Sequence, residues 1–107
     1  MSRIIYNKLI RDRIPEIIEQ DNRKYAVAII PPSEFDMALR EKLVEEIHEA
    51  IRADDEHLII ELADIQEIML ALMKVHGIDA EELEAVREQR LHERGGFEKK
   101  LKLLWTE

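Results

Sequence analysis

The sequence predicts an all-α fold: an antiparallel helical hairpin core plus short flanking helices, forming an oligomeric helical bundle. Apolar residues recur at helical spacing through two segments, 34–53 and 56–76. A short polar break from Asp54 to Glu56 separates them, and a short connection joins antiparallel neighbours. The second segment is apolar around most of its circumference, which is typical of a helix that is buried by further partners.

Residues 1–32 are predicted to form a basic arm, a short helix and a connector. Pro15 suits the first turn of a helix over residues 14–21. Residues 24–30 are rich in β-prone side chains, but one short strand is not stable alone. We therefore favour an extended connector there, with a strand that pairs with its copy in an oligomer as the alternative.

Capping signals predict the bounds of the remaining helices. Ser33, followed by Asp36, resembles a capping box at the start of the first long helix. Gly77 fits the position just after the end of the second long helix. Asp79 predicts the N-cap of a third helix over residues 80–93, with a basic and apolar tail after it.

Length and composition exclude several classes of protein. A chain of 107 residues is predicted to be one domain, 1–107, with the hairpin at 33–76 and the third helix and tail at 79–107. The net charge of −8 argues against nucleic acid as a partner, and the absence of cysteine excludes disulfides and thiolate metal sites. We expect a cytoplasmic protein without a membrane partner, since no apolar run resembles a span or a signal peptide.

Each long helix carries two acids three residues apart, which is the most informative pattern in the chain. Glu46 precedes Glu49 in the first helix, and Glu61 precedes Asp64 in the second. Residues i and i+3 share a helical face. On a helical wheel Glu46 and Glu61 fall within the apolar stripes, while Glu49 and Asp64 fall at their edges. Acids therefore occupy positions where core residues are expected.

The acids are also predicted to lie at matching heights on the hairpin. If the break is centred near Asp55, Glu49 and Glu61 are equally far from it. Glu46 and Asp64 are likewise equidistant from that centre. Carboxylates that meet between two packed helices repel one another, so a proton or a divalent cation must relieve the repulsion. An all-oxygen site of this kind suits Mg²⁺ or Mn²⁺.

Two other interpretations of the acids remain open. A di-iron carboxylate bundle needs Glu-x-x-His on two helices; Glu45 with His48 is one such pair, and Asp54 with His57 is a poor second. A non-catalytic helical dimerisation or regulatory module could use the acids to hold a structural metal. The basic residues of the arm are open as well, since they fit either a solvated surface or phosphate binding.

Four motifs together resemble a known superfamily. The chain has EExxE at 45–49, ExxD at 61–64, YNKLIRDRIPEII at 6–18 and RGGF at 94–97. These are similar to the motifs of the all-α nucleoside triphosphate pyrophosphatases, the superfamily of MazG and phosphoribosyl-ATP pyrophosphohydrolase. The closest resemblance is to a small single-domain subfamily described as phosphoribosyl-ATP pyrophosphohydrolase-like, and it spans nearly the whole chain.

The resemblance implies an enzyme with a bound metal. Family members form dimers or tetramers, hold Mg²⁺ with four acids, and hydrolyse a nucleotide between its α and β phosphates to give a monophosphate and pyrophosphate. Carried over to this chain, the metal ligands are Glu46, Glu49, Glu61 and Asp64. House-cleaning of non-standard nucleotides is as compatible with the motifs as phosphoribosyl-ATP is.

The same reaction needs a group that activates water and cations that bind the phosphates. We assign Glu45, the neighbour of the first metal ligand, to orient or deprotonate the attacking water. Basic groups must cover the distal phosphates. The predicted phosphate-binding residues are Lys8, Arg11, Arg94 and Lys99.

Overall fold

The computed structural model describes residues 2–107, and these form two compact units that meet in sequence between His76 and Gly77. The first unit contains α1 (Ile14–Gln20), α2 (Pro32–Arg52) and α3 (Asp55–Val75), and the second contains α4 (Ala80–Arg94). No strand occurs within 2–107. The all-α prediction is confirmed, and the helix bounds agree with the predicted ones to within two residues.

Helices α2 and α3 pack against each other as a hairpin, as predicted. The connection consists of Ala53 and Asp54 alone. Leu39 on α2 and Ile68 on α3 are the most buried apolar side chains of the described residues, at 4% and 8% exposure. Leu39 belongs to the predicted stripe, whereas Ile68 lies just beside the stripe predicted for α3.

Two aspartates cap helices as their positions require. The Asp54 carboxylate accepts a hydrogen bond from the His57 backbone N–H at 3.0 Å, which starts α3. The Asp79 carboxylate accepts from the Glu82 N–H at 2.7 Å and starts α4, so this predicted N-cap is confirmed. Each satisfies a backbone donor that the first helical turn leaves unpaired.

The prediction that Ser33 caps α2 is wrong. The helix begins at Pro32, with Pro31 in the N-cap position and no capping side chain. Proline suits the first helical position, because its φ is preset and its missing N–H would have no partner there. The two prolines therefore start the helix two residues earlier than predicted, and Ser33 lies within its first turn.

A glycine lies just beyond the end of α3, and another lies just beyond the end of α4. Gly77, just beyond α3, has φ 64°, and Gly95, just beyond α4, has φ 80°. Such backbone angles favour glycine, since a side chain would be strained there. The predicted end of α3 at Gly77 is confirmed.

The segment between α1 and α2 has no regular secondary structure. The Tyr25 hydroxyl donates to the Glu19 carboxylate and holds the start of this segment against α1. Between Arg23 and Pro31 the single chain runs as the connector that we favoured, and a strand that pairs with its copy in an oligomer stays a prediction.

A polar contact links the open end of the hairpin, opposite the connection. The imidazole Nε2 of His76, the residue after α3, lies 2.9 Å from Oδ2 of Asp36 in the first turns of α2. Arg40 donates to the other oxygen of that carboxylate at 2.7 Å.

Over residues 2–107, none of the helices has the combination of length and apolar character that is needed to cross a membrane.

Candidate metal and phosphate site

Three of the four predicted metal ligands converge between α2 and α3. Glu46, Glu61 and Asp64 each offer a carboxylate oxygen, and these oxygens lie within 4.8 Å of one another. All three side chains are partly buried. The helical spacing of Glu61 and Asp64 places both on one face of α3, and Glu46 lies on the face of α2 opposite them.

The register of the hairpin decides which acids meet. Glu46 precedes Ala53 by seven residues, and Glu61 follows Asp54 by the same number, so these two lie at one height. The predicted centre near Asp55 placed Glu49 level with Glu61 instead. The true centre lies about one and a half residues earlier, because Asp54 ends the connection by capping α3. The partner changes by twice the shift of the centre, so Glu61 faces Glu46, three residues before Glu49 and nearly one helical turn away.

The fourth predicted ligand, Glu49, lies outside this group of three. Its carboxylate accepts a hydrogen bond from Arg52 Nη2 at 2.8 Å, and its side chain is half exposed. Glu49 and Glu61 share a shallow cleft at the closed end of the hairpin. The cleft is lined by Glu49, Arg52, Ala53, Asp54, His57 and Glu61.

The three acids affect one another's charge. Burial raises the pKa of Glu46 above its usual value, and a hydrogen bond with Glu61 and the charge of Asp64 raise it further. The direction of this shift is the one expected for carboxyl groups that repel one another between two helices.

Basic residues of the N-terminal arm contact one of these three acids and the neighbouring Glu45. Lys8 Nζ donates to Glu45 Oε1 at 2.7 Å, and Arg11 Nη1 donates to Asp64 Oδ1 at 2.8 Å. Asn7, just before Lys8, has a φ of 45°, a left-handed conformation that asparagine tolerates better than most residues. The basic arm therefore lies beside the carboxylates.

A third cation, Lys42, was missed by the sequence analysis. Its ammonium lies 3.3 Å from Glu45 Oε2 and 3.8 Å from Glu46 Oε1, and its side chain is largely buried at 15% exposure. Lys42 precedes the two acids by three and four residues. That helical spacing, at which opposite charges commonly pair, was the available signal.

Glu45, the predicted water-activating residue, is held by two cations. The hydrogen bond from Lys8 is the main reason that the pKa of Glu45 is lowered, and Lys42 lowers it further. A carboxylate in these surroundings is ionised at neutral pH. It accepts hydrogen bonds well, but its basicity is reduced.

The other predicted phosphate ligands belong to the second unit. Arg94 is the last residue of α4, directly before Gly95. Lys99 lies in the tail, next to Lys100, whose φ is 54°. The positions of Arg94 and Lys99 are therefore described only relative to other residues of the second unit.

The geometry does not favour the di-iron interpretation. The group of three acids contains no histidine. His48 is exposed on α2, and His57 Nδ1 lies 2.6 Å from the capping carboxylate of Asp54. Neither candidate pair therefore places an imidazole beside the three acids. The site consists of carboxylates alone, and such a site fits a hard divalent cation.

The sequence resemblance implied a helical core in which acids come together, and the α2–α3 hairpin has such a group of carboxylates. A family model described as phosphoribosyl-ATP pyrophosphohydrolase matches residues 7–91. This match covers most of the chain, so the chain belongs to that family. It includes the arm from Asn7 onwards, the whole hairpin and most of α4. Searches of curated proteins and of solved structures gave no match.

Proposed function

We propose that this protein is an Mg²⁺-dependent nucleoside triphosphate pyrophosphohydrolase that serves nucleotide-pool house-cleaning in the cytoplasm. It would cleave the bond between the α and β phosphates and release a nucleoside monophosphate and pyrophosphate. The observation that carries this proposal is the group of three carboxylates with lysine and arginine beside it. Family membership supports the general reaction, and the site supports its dependence on a metal.

Glu46, Glu61 and Asp64 would hold the cation. Glu49 would join them once its carboxylate leaves Arg52, which is a side-chain movement at an exposed position. Mg²⁺ is the ion we favour, and Mn²⁺ has the same preference for oxygen ligands. When bound, the ion would offset phosphate charge and lower the pKa of a bound water.

Glu45 would orient the attacking water. Its low pKa keeps it ionised, so it can accept a hydrogen bond from water throughout the neutral range. The water oxygen would attack the α phosphorus, and the bond from that phosphorus to the bridging oxygen would break. The electron pair leaves with pyrophosphate, and the water proton passes to Glu45 or to solvent.

Lys8 and Arg11 would bind the phosphate oxygens. They already lie beside the carboxylates, and both side chains retain substantial exposure, at 41% and 60%. Arginine can engage phosphate with two parallel hydrogen bonds, whereas lysine acts as a point charge. We keep Arg94 and Lys99 as further proposed phosphate ligands, on the basis of the sequence resemblance.

We also propose that the protein works as a homodimer or a homotetramer. The outer face of α3 remains apolar, with Ile59 72% and Leu70 49% exposed. Burying such a face against a second copy would supply the core that a single hairpin lacks.

Product analysis tests the proposed reaction. The protein would be incubated with standard and non-standard nucleoside triphosphates and with phosphoribosyl-ATP, in Mg²⁺ and in EDTA. We expect metal-dependent release of pyrophosphate together with a monophosphate from at least one of these nucleotides.

Other outcomes would separate the alternatives. Release of single phosphates would place the cut at a different bond and contradict the proposal. Retained metal binding without turnover of any nucleotide would favour the non-catalytic helical module with a structural metal.

A further inference from the structure

We propose that Arg11 is an exchangeable counterion, which neutralises Asp64 in the metal-free protein and transfers to a substrate phosphate when a divalent cation binds. This inference rests on the proposed function, since it assumes that the carboxylates take a cation. It adds a role for one residue of the arm: Arg11 would couple occupancy of the metal site to recognition of the substrate.

The contact itself is suited to exchange. Arg11 and Asp64 are 53 residues apart in sequence, and a single hydrogen bond of 2.8 Å joins them. The Arg11 side chain is 60% exposed, compared with 30% for Asp64. A guanidinium carries five N–H donors in a fixed fork, so the remaining donors are available to a phosphate.

A backbone hydrogen bond holds Arg11 in place independently of its side-chain contact with Asp64. The Arg11 carbonyl accepts a hydrogen bond from the Ile14 N–H at 3.1 Å, at the start of α1. Release of Asp64 therefore requires only rotation of a long side chain, and the base of that side chain stays beside the acids.

The charges at the site favour release once a cation is present. Four carboxylates, Glu45, Glu46, Glu61 and Asp64, face the three basic side chains of Lys8, Arg11 and Lys42. These charges nearly balance without a metal. A divalent cation between the acids would repel the neighbouring guanidinium and take over its role at Asp64. Glu45 would stay neutralised by Lys42 even if Lys8 also moved to a phosphate.

The first test measures metal binding in the absence of nucleotide. Mn²⁺ would be titrated into the metal-free full-length protein by calorimetry, for the wild type, Arg11→Gln and Arg13→Gln. Arg13 is the matched control, because it loses the same charge from the same arm but pairs with Glu16. We expect Arg11→Gln to bind Mn²⁺ about two- to fivefold more tightly than Arg13→Gln does, because the competing cation is gone.

The second test measures the other half of the exchange. Inorganic pyrophosphate would be titrated into the same three proteins with saturating Mg²⁺. We expect Arg11→Gln to bind pyrophosphate about three- to tenfold more weakly than wild type, and Arg13→Gln to resemble wild type. Opposite changes in the two affinities from one substitution are the signature of an exchanged counterion.

Each half can fail separately. Equal Mn²⁺ affinities for Arg11→Gln and Arg13→Gln, or a weaker affinity for Arg11→Gln, would show that Arg11 keeps its contact with Asp64 and would overturn the exchange. Unchanged pyrophosphate affinity would overturn it as well. Both titrations are independent of turnover, so a wild-type protein that hydrolyses no nucleotide would contradict the proposed function while these results still decided the role of Arg11.

Discussion

Individual carboxyl groups define the chemistry of this molecule. Glu46 lies in a largely apolar stripe, where burial and the nearby carboxyl groups of Glu61 and Asp64 raise its pKa. One residue earlier, Glu45 pairs with Lys8 and Lys42, which lower its pKa. The pKa values of these two adjacent residues are thus shifted in opposite directions, because their side chains have different surroundings. We propose that Glu46 is a cation ligand and that Glu45 remains an ionised acceptor, and the lowered pKa of Glu45 supports the second of these roles.

The variant Glu61→Gln tests the role of a single carboxyl group. We expect Mg²⁺-dependent turnover to fall more than about a hundredfold, because a neutral amide holds a divalent cation poorly. The free energy of unfolding without metal should stay the same or rise by up to about 1 kcal/mol, since the amide can donate to Glu46 and one repelling charge is gone. Activity assays and chemical denaturation would measure the two effects.

A control distinguishes charge from position in that experiment. Glu67→Gln removes the same charge from an exposed position on α3 and should retain turnover. Unfolding of Glu61→Gln in the absence of metal would contradict the prediction and would show that Glu61 is required for the fold.

The α2–α3 hairpin is the element that assembles the site. Its two-residue connection brings Glu46 level with Glu61, and the contact between His76 and Asp36 joins the helices at the other end. The carboxylates lie between these two fixed points. The helices can therefore hold the acids together although the acids repel one another.

The contact at the open end of the hairpin predicts a dependence on pH. The Arg40 hydrogen bond, with a smaller contribution from His76, holds the pKa of Asp36 below its ordinary value of 3.8. A lowered folded-state pKa contributes stability that is present above 3.8 and is lost as pH falls through the folded-state value. Asp36→Asn should therefore have a slightly lower melting temperature than wild type at neutral pH, and this difference should disappear in acid.

Thermal melts from pH 7 to pH 2 would measure this dependence. Asp12→Asn is a suitable control, because that carboxylate is on an exposed residue in the turn before α1. An Asp36→Asn deficit that persisted unchanged at pH 2 would assign the loss to packing of the side chain and not to its charge.

The whole chain buries little of its apolar surface by itself. Two leucines and a tryptophan of the tail, Leu103, Leu104 and Trp105, are at least 72% exposed, as is Ile59 on α3. Surface of this extent is costly in water, at roughly 25 cal/mol per Å² of apolar area. Assembly of several copies is the direct way of removing it.

We expect the wild type to elute as a dimer or a larger assembly in size-exclusion chromatography with light scattering. Leu70→Glu, on the outer face of α3, should shift the protein towards smaller species and lower its helical content, since the isolated hairpin has a small core. His48→Glu places a charge on the exposed face of α2 and should leave the assembly intact. A monomeric wild type would refute the role that we assign to α3, and disruption by His48→Glu alone would move the interface to α2.

The sequence by itself determined the helices, most of their caps and the acids that face inward. These features depend on local spacing, on proline and glycine, and on side chains within about four residues of one another. The error at Ser33 was also local, because two prolines decided where α2 begins. The family could be assigned from the same motifs.

Only the tertiary structure decided which groups meet. A difference of one and a half residues in the centre of the hairpin paired Glu46 with Glu61 and placed Glu49 beside Arg52. The contacts of Lys8 with Glu45 and of Arg11 with Asp64 join residues 37 and 53 positions apart. Sequence periodicity does not predict such contacts, because they depend on how the arm and the two helices are placed in space. A shift of one helical turn would exchange one set of charge partners for another.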